Sequence, residues 1–397
     1  MRIFRSIGSV LGLFLVAISN AQGQGHEIVG VVDKNVRPIS IQSSDGPAKA
    51  LAEQAFNTHG GFRVASSGRV DFTFRLTPLP GDRCRIQVLS GQPAQIVFED
   101  TAIGTDQANA VLKACDAAVQ QTTGKPGYFA GKIAMVSNRS GHSEIYLGDL
   151  FFRKVRQLTN DKSNALKPYL SPDGRTLFYR GYYRTGFPDV FKVDVSSGRR
   201  TQFASYKGTN SGGAVSPNNQ KVALILSSPG DMELYTQDIN GNSKPRRLTR
   251  SRSVETDPTW SPDGGRLIIT SDRIGGPQLF EIPAQGGPMT RLPTNISRYC
   301  AEPNWNPRDA SKVVFTAAMG GGYELALFEY GKGAAKPLTS VAGNAKEPVW
   351  LNDGRHILYT EESNGSKFLA IVDSETGKRT RVSPSKFGNA SMPSYAY

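Results

Sequence analysis

The phrase PTWSPDGGRLIIT at residues 258–270 returns in altered form throughout the second half of the chain. It reads PYLSPDGRTLFYR from 168, GAVSPNNQKVALIL from 213, PNWNPRDASKVVFT from 303 and PVWLNDGRHILYT from 348. Aligned on the first residue, the copies begin at Pro168, Gly213, Pro258, Pro303 and Pro348, and a last fragment begins at Pro393, so each start lies 45 residues after the previous one. A period of that size is too long for a coiled coil and restricts the chain to the blades of a propeller or the turns of a solenoid.

The interior of the unit decides between them. An apolar residue stands at the second position after each start, and all three Trp of the chain (Trp260, Trp305, Trp350) occupy it. Ser-Pro-Asp-Gly follows, which suits a type I turn with Gly accepting the left-handed residue after it. Where Gly is absent, Asn219 and Asp309 are expected to take that conformation. Runs such as ELYTQDINGNSKPRRLT, QLFEIPAQGGPMTRLP and FLAIVDSETGKRTRVS then supply a third strand, a turn and a short fourth strand. Four antiparallel strands per unit make a propeller blade.

The ends of the array predict a closed ring. KIAMVSNRSGHSEIYLGDL, from Lys132, matches strands two to four of a unit without an inner strand ahead of it, whereas MPSYAY at 392–397 is an inner strand with nothing after it. The last residues therefore complete the first blade, giving six blades whose end strands are paired by closure of the ring. Abundant Gly and Pro, 42 and 24 residues, agree with turn-rich β structure.

Ahead of the ring, the sequence predicts a small α+β domain over 22–130, the propeller spanning 131–397. EIVGVV, RPISI, VDFTFRL, CRIQV and AQIVF read as strands. AKALAEQAF and a segment capped by Thr105 read as helices with one apolar face each. Residues 1–21 carry Arg2 and Arg5, a twelve-residue apolar stretch and small residues before Ala21, the pattern of a secretory signal peptide cleaved near Ala21. No segment is long and apolar enough to span a bilayer, and an exported monomer is expected.

Removal of the leader lowers the formal charge from +13 to +11. No arginine-rich run or aromatic RNA-binding signature accompanies this excess, so nucleic acid is not an expected partner; an anionic envelope surface, an acidic protein or simply a basic solvated exterior is compatible with it. Export permits a disulfide between Cys84 and Cys115, which face the same small core, while Cys300 reads as a buried apolar residue.

Catalytic patterns are scarce. The chain has no G-x-S-x-G elbow, its four His (26, 59, 142, 356) show no ligand spacing, and its glycine clusters open no helix. No cofactor or metal is expected from these motifs, and the chain reads as a non-enzyme. One constellation stands out: the residues before the six starts are Lys167, Gly212, Asp257, Glu302, Glu347 and Met392, so three consecutive blades place an acid at one mouth of the central channel. Capping acids, a patch for a basic partner and a channel cation are all compatible with it.

The P-x-W-S-P-D-G repeat, the strand EIVGVVDKNVRPISI with its Arg-Pro-Ile, the helix ending in GGF and the closing MPSYAY together resemble the TolB family of the periplasmic Tol-Pal system. The resemblance implies a non-enzymatic periplasmic adaptor that docks the peptidoglycan-associated lipoprotein Pal on a propeller face and engages TolA through its N-terminus, supporting outer-membrane integrity and cell division. By alignment it places the lipoprotein site at Thr209, Asn210, Ser211, Gly212, Thr256 and Asp257, with Glu302 and Glu347 continuing the rim. The TolA tether falls on Gln22, Gly23, Gln24, Gly25, His26, Glu27, Ile28 and Val29. A carbohydrate-binding or carbohydrate-processing propeller of the envelope is the alternative.

Overall fold

The computed structural model describes residues 36–228 and 230–397. The leader, the strand read in EIVGVV and the tether residues 22–29 lie outside them.

The first body begins with β1 (Arg37–Gln42), followed by α1 (Gly46–Thr58), β2 (Phe62–Val64), β3 (Phe72–Leu79), β4 (Arg83–Ser90), β5 (Gln95–Ile103) and α2 (Gln107–Thr123). The sheet order is β2-β1-β3-β4-β5, with β1 parallel to both its neighbours and the remaining pairs antiparallel. The short strand β2 was not legible as a strand; three residues carry too little alternation to register. Asp45 caps α1 by accepting from the Ala48 N–H at 2.7 Å. The cap of α2 is Asp106, one residue beyond the expected Thr105, because its carboxylate reaches the Asn109 N–H at 2.8 Å. Both helices lay their apolar faces on the sheet, enclosing Phe56, Phe74, Ile86, Val111 and Leu112.

Cys84 and Cys115 do meet in that core, but as free thiols; the bridge permitted by the sequence is absent. Burial pushes the Cys84 thiol up to about 11 and Cys115 well above its usual range, so neither is a ready thiolate nucleophile. Cys300 is also free and buried.

Six four-stranded sheets follow, one per blade. Blade 1 is assembled from both ends of the ring: Ser391–Ala396 pairs antiparallel with Lys132–Ser137, which continues to Glu144–Asp149 and Val155–Gln157. Blades 2 to 6 start with the inner strands Ala165–Leu170, Asn210–Val215, Glu255–Trp260, Cys300–Trp305 and Asn344–Trp350. Side chains on both blade faces interdigitate with the neighbouring blades. The Trp position joins them with a polar contact as well: Trp260 Nε1 donates to Ala214 O of the preceding blade at 2.9 Å, and Trp350 Nε1 to Asn304 O at 3.1 Å.

The turns behave as expected at Gly174, Gly264, Gly354 and Asn219, all with φ between 57° and 70°. Asp309 is the exception and does not enter the left-handed region. The Asn306 side chain accepts from the N–H groups of Arg308 and Asp309, which closes the turn without it. At Gly213, where other copies have Pro, a Cβ would lie 2.6 Å from Phe178 Cβ of blade 2, so close packing between blades requires glycine.

Deletion of 391–397 removes the inner strand of blade 1 and orphans backbone groups on Lys132–Ser137, at about 1–3 kcal/mol for each one left buried. The shortened chain is expected to melt at a sharply lower temperature or to aggregate; an unchanged calorimetric transition contradicts closure as the source of stability.

Candidate functional site

The most unusual backbone in the ring occurs at its centre. Lys167, Gly212, Asp257, Glu302, Glu347 and Met392 all have positive φ, between 49° and 89°. Each inner strand shifts register at or beside this residue; in blade 4, Thr256 pairs with Thr270 while Thr259 pairs with Ile268, leaving two residues opposite one. The residue is therefore a β-bulge repeated in every blade. The sequence holds one sign of it, since blade 3 uses Gly212, where a Cβ would lie 2.8 Å from Ala223 O.

The bulges and the inner strands line a central cavity of about 620 Å³. Lys167, from blade 2, reaches across it: its Nζ lies 3.1 Å from Asp257 Oδ1 of blade 4 and 3.3 Å from Glu302 Oε1 of blade 5. These side chains keep only 21–23% of their surface exposed. Burial opposes the charge on Lys167, but the two carboxylates outweigh it and hold the ammonium well above its usual range. Asp257 is lowered in turn, Lys167 overcoming the penalty of burial.

The other carboxylate contacts run around the ring. Glu302 Oε2 accepts from Thr316 Oγ1 at 2.9 Å and from the Glu347 bulge N–H of the next blade at 3.0 Å. Glu347 Oε2 accepts likewise from Thr360 Oγ1 at 2.7 Å and from the Met392 N–H at 2.8 Å. Each acid thus satisfies a backbone donor that its neighbour's bulge exposes, and ties the blades together. Burial, then the Glu302 charge, raises the Glu347 carboxyl.

The remaining residues singled out by alignment lie where the chain enters the inner strands of blades 3 and 4, Thr209 just ahead of Asn210–Val215 and Thr256 second in Glu255–Trp260. Asn210 is buried and acts as a clip, its Nδ2 donating to Pro188 O at 3.1 Å and Tyr206 O at 2.8 Å. The Thr209 N–H donates to Ser227 Oγ at 2.7 Å. Thr209, Ser211 and Thr256 stay half-buried.

A second polar cluster escaped sequence reasoning because its members are nearly 300 residues apart. The Gly60 N–H of the first body donates to His356 Nε2 of blade 6 at 3.0 Å, while His356 Nδ1 lies 2.5 Å from Asp353 Oδ2. His59, Asp353 and His356 bring ligand-type atoms within 4.8 Å of one another, the one such group among the described residues. Both ring nitrogens of His356 are thus engaged, and His59 Nδ1 accepts the Gly61 N–H at 3.0 Å. The cluster is an interdomain clasp. A Cβ on Gly60 would fall 1.8 Å from Asp373 Oδ2, so only glycine allows the approach. Asp116 on α2 completes the junction, accepting from the Phe129 and Ala130 N–H groups and from Tyr397 Oη at 2.9 Å. The described residues from 36 onward accordingly belong to one compact unit.

Residues 119–397 match the family model described as the TolB beta propeller domain. The Tol-Pal system protein TolB of Bordetella pertussis is 29% identical over 234 residues, 58% of this chain and 50% of that one. A TolB homolog of Chlorobium chlorochromatii is 35% identical over 192 residues, 47% and 42% of the two chains. The chain thus spans about half the length of these curated relatives. The crystal structure of TolB from Acinetobacter baumannii superimposes with a TM-score of 0.80 at 21% identity, over 91% of this chain and 97% of that one, which establishes a common fold.

Two tests follow from the geometry. Lys167→Met leaves Asp257 and Glu302 uncompensated; channel water tempers the penalty, and a loss of about 1–3 kcal/mol in denaturant unfolding is expected. Adding Asp257→Asn and Glu302→Gln should recover part of it, and an unaltered midpoint for Lys167→Met refutes the bridge. The second concerns Glu255, which burial and then Glu233 raise to about 7. Because its folded pKa lies above the unfolded value, its contribution is complete below about pH 4 and is lost as pH rises through about 7. Glu255→Gln should therefore gain about 1–2 kcal/mol relative to wild type between pH 5 and 8; parallel stability curves for the two proteins rule this out.

Proposed function

The chain belongs to the TolB β-propeller family, and from that premise we propose that it is a non-enzymatic adaptor of a periplasmic Tol-Pal system. In this reading the propeller docks a Pal-like lipoprotein, a TolA-like protein engages the tether at residues 22–29, and the assembly supports outer-membrane integrity and division. The observation that carries the proposal is the family match across the whole ring, residues 119–397. The channel supports it: its charged groups bond to one another and to neighbouring bulges rather than converging on a vacant reaction centre.

Docking is assigned to Thr209, Asn210, Ser211, Gly212 and Thr256: the half-buried Thr209, Ser211 and Thr256 offer small side chains for close approach, and the buried Asn210 and Gly212 hold the backbone that presents them. Asp257, Glu302 and Glu347 form the inner margin of that surface. Since their carboxylates are committed to the ring, we assign them the shape of the mouth more than direct contact with a partner's cations.

The test is binding to the soluble domain of the lipoprotein. Thr256→Trp should weaken it by about tenfold or more through steric block at a central position, with an unchanged melting temperature. Deleting residues 22–33 should abolish TolA binding and spare the lipoprotein. Wild-type protein that binds neither partner, or binds envelope glycan instead, overturns the adaptor reading.

A further inference from the structure

In each blade the turn between the second and third strands, and the connection from the fourth strand to the next blade, emerge at the same end because the strands alternate in direction. The first body covers the opposite end at blade 6, through contacts from Asn352, His356, Glu375 and Lys378. The end facing away from it is chemically uneven. Among the described residues of the propeller, the large apolar or aromatic side chains left exposed are Tyr183, Phe187, Tyr206, Val254, Ile274 and Tyr397. All but Tyr397 lie in these loops of blades 2 to 4, with Phe187 69% and Ile274 54% exposed. The corresponding turns of blades 5, 6 and 1 are MGGGYE, SNGSK and SNRSGHSE, rich in glycine and serine.

The loops of this end are also positively charged, and the charge continues around the face through Arg139, Lys162 and Lys386. The loops of blades 2 to 4 expose Arg184, Lys207, Arg250, Arg252, Arg273 and Arg298 against two exposed acids, Asp231 and Asp272. Asp272 is already used, accepting the Val254 N–H at 2.9 Å. None of the six cations forms an ion pair with a described residue. The loops are joined into one surface: Asn210 holds the Pro188 loop, Val254 holds the Asp272 loop, and the Glu255 N–H donates to Met232 O at 3.0 Å. Single exposed apolar residues need no explanation, but five of them gathered among unpaired cations on one half of one face do.

We infer that this half-face is a docking surface for an acidic protein segment carrying apolar or aromatic side chains. The inference rests on the adaptor reading for its premise that the occupant is a protein, and it reverses the sign expected from the channel acids: the free charge around the mouth is positive. Tyr, Phe and Arg supply rigid contact area and orientation at the centre of an interface, and the unpaired cations accelerate encounter with an acidic partner. Thr209 and Thr256 stand where these loops run into the inner strands, three residues after Tyr206 and two after Val254, so the anchors flank the positions assigned to docking.

The test uses the chain from residue 22 onward and a synthetic peptide in which Glu and Asp alternate with Leu and Tyr. A second peptide replaces the acids by Lys, and vesicles of anionic phospholipid serve as the non-protein probe. The acidic peptide should bind with strong salt dependence; Arg250→Glu with Arg252→Glu should weaken it about tenfold or more, and Phe187→Ser with Tyr206→Ser should do so independently. All four positions are exposed, and unchanged melting curves verify that the fold is intact. Equal binding of the Lys peptide, no binding of the acidic one, or indifference to both double variants overturns the inference. So does tighter, variant-sensitive binding to the vesicles, which would make the surface a membrane contact. The lipoprotein domain, assayed in parallel, separates the two readings. Binding to it that ignores the charge reversals, together with a peptide result that fails, leaves the adaptor standing and removes this surface. Peptide binding that behaves as expected, without lipoprotein binding, does the reverse.

Discussion

A sheet edge is a row of unsatisfied backbone groups; a propeller keeps only the short edges of its blades, and a blade lacking its inner strand would expose a further one. Here that exposure is prevented by the antiparallel pairing of Ser391–Ala396 with Lys132–Ser137. Everything near the axis depends on it. The Met392 bulge receives the Glu347 carboxylate only because the final strand sits in blade 1, and Tyr395 and Tyr397 reach Tyr128 O and Asp116 from the same strand. Closure of the ring and part of the anchoring of the first body are therefore carried by the same few residues, while the Gly60–His356 clasp holds blade 6 separately.

The two kinds of charge in the propeller serve separate ends. Acids inside the channel face a lysine from the opposite side of the ring and the amide donors of adjacent bulges, where low local dielectric makes each contact count toward holding six blades in register. Arginines and lysines on the loops have no such internal partners and remain available. A net positive chain can thus have a negative interior, and inspection of formal charge by blade position would assign the wrong sign to its outward surface.

The repeat made the ring legible: its period, four strands per unit, six blades and the shared first blade could all be read from turn chemistry and the position of Trp. The bulges were not, because a residue before proline is ordinarily biased to extended conformations, and Gly212 alone hinted at positive φ. Asp257, Glu302 and Glu347 were legible as an acidic ring but not as an occupied one, since Lys167 comes from a blade on the far side. The His356 clasp was invisible for the same reason; its chemistry arises from Gly60, and sequence distance conceals spatial contact. In the first body, pattern located both helices and the longer strands, but the proximity of Cys84 to Cys115 could not decide between a bridge and two thiols.

The junction in blade 1 also imposes an order of events on folding. Val136 pairs with Ser391, 255 residues further along the chain. Local hairpins in blades 2 to 6 can form as soon as each is synthesised, on the microsecond scale of hairpin formation, but this contact has to wait for nearly the full chain. Non-local pairings of that kind slow folding, and until they form the strand Lys132–Ser137 remains an adhesive edge. The polypeptide is consequently most vulnerable to aggregation just before its final strand arrives, and a holding chaperone or a continued extended state during that interval would protect it.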